Sequence, residues 1–152
     1  MSGLSQTLTR AEQRCQQQGG RMTTQRKQVL ALLLSQAGPQ SAYQLLAQFK
    51  HQYQANAQPP TIYRALDFLV QQGLAHRLSS TNQYLACGHI TCQHDHQGTL
   101  FLLCDTCGGV QETPLLKGAV SQLQQQLGRE GFQVQHEPLL EIHGRCASCA
   151  VA

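Results

Sequence analysis

Two Cys-x-x-Cys pairs, Cys104–Cys107 and Cys146–Cys149, constrain this chain more than any other feature. Each pair can turn two sulfurs toward one point. Together they offer four thiolates, a tetrahedral set for zinc with no vacancy, which is the signature of a structural site. The 38 residues between the pairs must then fold back on themselves. That interval exceeds a zinc ribbon's, but it has room for a helix and two strands. The competing reading is a pair of redox dithiols or buried free cysteines. The first pair closes a ligand-dense stretch from Cys87 to Cys107, CGHITCQHDHQGTLFLLCDTC, which holds four of the seven cysteines and three of the seven histidines. Soft thiolates and imidazoles at this density are zinc chemistry. A second metal site would draw on His76, Cys87, His89, Cys92, His94, Asp95, His96 and Glu112. Cys15 stands apart, on the apolar stripe of a helix, and reads as a small buried hydrophobe.

Charge divides the chain. Residues 1–77 carry eight lysines and arginines against two acids, a net +6, and residues 78–152 carry three against six, a net −3. A basic half of this size suits a nucleic-acid surface, although a solvated basic face would give the same count. No apolar run approaches the roughly 20 residues of a membrane span. The first residues, MSGLSQTLTRAEQRC, lack the apolar segment of a secretory signal. The expectation is a cytoplasmic protein without a membrane partner, in which paired cysteines bind metal.

Periodicity predicts four helices and then a hairpin. Leu4, Leu8, Ala11 and Cys15 mark one helix face, ended by Gly19-Gly20. Thr23 or Thr24 caps a second helix, buried through Val29, Leu30, Leu33 and Leu34. Ser41 and Gln44 form a capping-box pattern for a third, and Pro59-Pro60-Thr61 opens a fourth that runs to Gln72. In the fourth, Ile62, Leu66 and Leu69 point inward while Arg64, Asp67 and Gln71 point out, with Tyr63 at the margin. Two alternating runs around Ser79 to Asn82 form the hairpin. The result is a winged helix-turn-helix, residues 1–87. Residues 88–152 read as a small α/β unit. Its expected strands are Thr99–Leu103, Val110–Glu112, Phe132–His136 and Leu139–His143. A helix from Pro114 to Leu127 is expected to bury Leu116, Val120, Leu123 and Leu127. So small a unit gains from pairing with a second copy. The fold class is α+β.

The segments RMTTQRKQVLALL, SAYQLL, PPTIYRALDFLVQQGLAHRL, CDTCG and HGRCASC resemble the ferric uptake regulator superfamily, and within it the zinc uptake regulator branch. The resemblance spans about residues 10 to 149; Thr24 departs from it, standing where the family usually has proline. It implies a homodimeric, zinc-loaded repressor of zinc-uptake genes with a C-terminal dimerisation domain. It also implies a palindromic double-stranded operator, a structural zinc on Cys104, Cys107, Cys146 and Cys149, and a regulatory zinc. The regulatory ligands map to His76, Cys87, His96 and Glu112, with His94 the alternative to His96. A third, weaker site would use His94 and His136. One thiolate, two imidazoles and a carboxylate suit tetrahedral zinc better than ferrous iron.

On the DNA side, Arg64 is placed to reach guanine O6 and N7. Thr61, Tyr63, Tyr43 and Arg21 are further contacts. The nearest alternative is an iron or peroxide sensor of the same superfamily. A zinc hydrolase or deaminase is the alternative from another class, and against it no glutamate stands in a His-x-Glu or His-Glu-x-x-His arrangement.

Overall fold

A computed structural model describes residues 2–91, 98–135 and 138–151. The chain divides into two compact units, Met1–Cys92 and Gln93–Ala152. The first holds α1 (Ser2–Gln17), α2 (Thr24–Ser35), α3 (Ala42–Gln52), α4 (Pro59–Gln71) and the hairpin β1 (Ala75–Leu78) and β2 (Gln83–Ala86). The second holds β3 (Thr99–Cys104), β4 (Val110–Pro114), α5 (Lys117–Arg129), β5 (Leu139–Gly144) and α6 (Ala147–Ala150). The architecture is α+β, as expected. No helix among the described residues is long and apolar enough to cross a membrane.

In the N-terminal unit local signals and packing agree. Thr23 accepts the N–H of Arg26 and starts α2, and Ser41 with Gln44 completes the capping box of α3. Gly19 and Gly73 end α1 and α4 at φ 78° and 70°, a conformation that favours glycine. Val29, Leu30, Leu45, Phe49, Ile62, Leu66 and Leu69 form one apolar core, with Ile90 against it. Leu32 is buried as well, while Leu34 is only partly so. Cys15 is fully buried, and burial pushes its thiol up.

The hairpin is tied to the helices by amides. Gln40 and Tyr84 form an antiparallel bridge, each N–H donating to the other's carbonyl at 2.8 and 2.7 Å. Gln36 Nε2 donates to Gln48 Oε1 at 3.2 Å, and Gln48 Nε2 donates to Gln40 Oε1 at 3.1 Å. Three glutamines thus join α2, α3 and the wing.

The C-terminal unit is a three-stranded sheet in the order β4-β3-β5, with β3–β4 antiparallel and β3–β5 parallel. A parallel pair needs a long crossover, and here it carries β4 and α5. Three expectations are corrected. Pro114 ends β4 rather than opening a helix, because an edge strand tolerates a residue without an N–H. Residues 132–135 form no strand. Of the four residues expected to anchor α5, only Val120 is buried; Leu116 lies in the open and Leu123 and Leu127 are half-exposed.

Candidate metal centres and nucleic-acid interface

The four paired cysteines come together through the parallel pairing. The register Cys104↔Gly144 sets the end of β3 beside the end of β5, and Asp105 N–H donates to Gly144 O at 2.9 Å. Beyond β3 the chain makes a tight knuckle. Gly108 N–H donates to Cys104 O at 2.9 Å, Cys104 N–H to Gly109 O at 2.9 Å, and Gly109 N–H to Cys107 Sγ at 3.4 Å. Gly108 has φ 72°, the left-handed value such a turn requires. On the other side Cys146 is the N-cap of α6, and the short helix brings Cys149 round to the same point.

All four sulfurs lie within 4.8 Å of one another, with Cys107 and Cys146 Sγ 3.8 Å apart. Zinc–sulfur bonds of about 2.3 Å in a tetrahedron give sulfur–sulfur edges of about 3.8 Å, so the cluster fits zinc. The electrostatics agree. Cys146 N–H donates to Cys104 Sγ at 3.3 Å, and this with the neighbouring N–H groups brings the Cys104 thiol down to about 6. Cys149 is pushed up to about 12, first by the Cys146 thiol and then by burial. Four sulfurs this close do not all ionise by themselves, whereas a dication takes them all as thiolates. Beside the cluster, His143 Nδ1 lies 2.9 Å from Asp105 Oδ1, both exposed. A groove of about 520 Å³ runs from Cys104 and Cys107 along Leu102, Val110 and Ile142.

The residues expected at the second metal site are placed as follows. His76 is on β1 opposite Leu85, and Cys87 follows β2, its N–H donating to Leu74 O at 2.9 Å. Their ligand atoms lie within 4.8 Å of each other. The hairpin therefore brings one imidazole and one thiolate together on the wing itself. Glu112 is half-buried on β4, opposite Phe101. His94, His96, Cys92, Asp95 and His136 lie outside the described residues. His89 sits in the turn after Cys87, its N–H donating to Cys87 Sγ at 3.4 Å.

The candidate DNA-facing surface is built on α4. Pro59 and Pro60 occupy its first positions, and Thr61 N–H donates to Gln58 O at 3.0 Å. The helix end thus has few backbone donors to offer, and contact passes to side chains. Tyr63, Arg64 and Asp67 are exposed along it. Thr61 and Arg64 line a cleft of about 200 Å³ with Thr23 and Arg26. Arg26 stacks over Phe68 at 3.7 Å, and its Nη1 donates to Arg21 O at 2.6 Å. Tyr43 and Arg21 are exposed on the same unit. Arg26 is absent from the contacts expected from the sequence; nothing in the periodicity distinguishes a stacked arginine from a solvated one.

The sequence profile of the ferric uptake regulator family matches residues 17–142. The zinc uptake regulation protein of Escherichia coli K12 is 41% identical over 142 residues, 93% of this chain and 80% of that protein. The structure of a zinc uptake regulator complexed with zinc and DNA superposes with a TM-score of 0.85 at 38% identity, over 97% of this chain and 95% of that one. Holo XcZur superposes with a TM-score of 0.79 at 38% identity, over 95% of this chain and 97% of that one. By profile, by sequence and by fold, this chain belongs to the ferric uptake regulator family.

Proposed function

We propose that the protein is a zinc-responsive transcriptional repressor. It acts in the cytoplasm and binds palindromic operator DNA as a zinc-loaded homodimer to control zinc-uptake genes. The observation that carries this reading is the His76–Cys87 pair, a soft metal-ligand pair seated on the wing of a winged helix. Similarity to a regulator whose structure holds zinc and DNA supports it.

Cys104, Cys107, Cys146 and Cys149 hold a structural zinc. His76 and Cys87, with Glu112 and His96 or His94, hold a regulatory one, and His94 with His136 form a third, weaker site. When bound at the regulatory position, zinc supplies a divalent charge that holds thiolate, imidazole and carboxylate at one point. The wing donors and Glu112 belong to different parts of the chain, so ligation couples metal to the arrangement that binds DNA. Arg64 reads a base edge, with Thr61, Tyr63, Tyr43 and Arg21 around it. The exposed apolar face of the C-terminal sheet meets a second copy, and two recognition helices related by a two-fold axis read an inverted repeat.

The test is operator binding over a series of buffered free zinc concentrations, repeated with ferrous iron, for the wild type and Cys87→Ala. The wild type gains affinity with zinc and not with iron. Cys87→Ala remains a folded dimer with one tightly held zinc per chain and gains none. A Cys87→Ala protein that switched with normal zinc dependence would overturn the ligand assignment, and a wild type indifferent to zinc would overturn the function.

A further inference from the structure

The wing carries a cation that neither the metal sites nor the recognition helix uses. Arg77 is exposed on β1, in register with Tyr84. Its Nε and Nη2 both donate to Asn82 Oδ1, at 3.1 and 2.9 Å. Asn82 lies in the turn between the strands at φ 52°, a left-handed conformation that asparagine adopts more readily than most residues. The turn therefore delivers an acceptor to the guanidinium.

That acceptor is neutral. A carboxylate would hold the fork and cancel its charge, whereas an amide holds it and leaves the charge standing. Among the described residues no carboxylate pairs with Arg77. Holding a long side chain in advance also lowers the entropy lost in a later contact.

Position completes the picture. After α4 the chain turns at Gly73, Leu74 N–H closes back on Leu69 O at 2.9 Å, and β1 packs against α4. A strand gains about 3.3 Å per residue against about 1.5 Å for a helix, so the few residues of the wing span as much length as half of α4. Tyr84 lies within electrostatic reach of Arg77, Asp67 and Tyr63. Arg77 on the wing and two exposed residues of α4 thus share one electrostatic neighbourhood.

We propose that Arg77, held by Asn82, contacts the phosphate backbone of duplex DNA beside the groove that α4 enters. The inference rests on the DNA-binding reading above. A phosphate contact carries no sequence information, but it fixes how the protein sits on the duplex and steepens the salt dependence of binding.

The experiment uses the zinc-loaded full chain and two duplexes, one selected by the wild type from a random pool and one of the same composition shuffled. Affinities are measured over a salt series. Arg77→Gln weakens both duplexes alike, by roughly eightfold per lost contact near 0.1 M salt, and the slope of log K against log salt falls by about 0.9 per contact. Arg77→Lys keeps the slope and loses less affinity. Asn82→Ala gives a smaller loss than Arg77→Gln and adds nothing in the Arg77→Gln background, as expected of a residue acting through Arg77.

Three results would overturn the proposal: an unchanged slope in Arg77→Gln, a loss confined to the selected duplex, or an additive loss from Asn82→Ala. If the wild type bound neither duplex at any zinc level, the repressor reading would fall too. Normal wild-type binding with an unaffected Arg77→Gln would sink this inference alone.

Discussion

Phe49, Ile62, Leu66 and Leu69 in the N-terminal unit are closed to solvent, while Leu116, Phe132, Leu139 and Ile142 in the C-terminal unit stand 75%, 61%, 41% and 52% exposed. Both units are rich in leucine. They differ in what finishes them. Four helices and a hairpin enclose a core from all sides, whereas a three-stranded sheet with one long and one short helix buries little beyond Phe101, Leu103, Cys104 and Val120 among the described residues. By our proposal, the C-terminal unit therefore relies on cross-links that hydrophobic packing does not provide: four zinc-bound thiolates at one end and a second copy across its open face. In this chain one unit is stabilised from within and the other from without.

Metal removal should separate the two most sharply. On the proposed assignment, Cys149→Ala takes one ligand from a closed site whose filling is coupled to folding. We expect loss of the tightly held zinc and melting of the C-terminal unit, with the helical unit still giving its own thermal transition. A single cooperative loss of both would break the comparison. Phe49→Ala should do the reverse. It empties a fully buried aromatic site and costs the N-terminal transition about 3–5 kcal/mol, leaving zinc content unchanged.

Ile142→Lys comes next. A charge on the open sheet face leaves each chain's fold intact and weakens self-association by about 2 kcal/mol or more, read by sedimentation over a concentration series. Unaltered association would place the dimer contact elsewhere. Ser41→Ala should have the smallest effect, about 1 kcal/mol on the N-terminal melt from the lost cap of α3, with no effect on zinc or dimer.

The same contrast explains what could be read from the sequence. Caps, glycine stops and periodicity are local signals, and they placed α1 to α4 and the hairpin because the core of that unit reinforces each of them. In the C-terminal unit local signals compete with tertiary ones. Pro114 resembles a helix start until β4 is known to be an edge strand, and α6 is too short to show a period. The parallel pairing of β3 with β5 was not legible either, although the two Cys pairs required some arrangement that brings their ends together. The four-cysteine cluster was readable as a set because the ligand types and spacing are specific. Arg77 was not, since its role depends on an asparagine in the turn and on the helix alongside.

The chain of glutamines from Gln36 through Gln48 to Gln40 has a consequence for how the protein would respond to its surroundings. Amides neither titrate nor attract counterions, so the tether between α2, α3 and the wing keeps its strength as pH and ionic strength vary. An ion pair in the same place would weaken with added salt and would shift the wing along with it. With this tether, a change in salt leaves the seating of the wing on α2 and α3 in place. The salt slope of DNA binding then carries no contribution from a loosening of the wing.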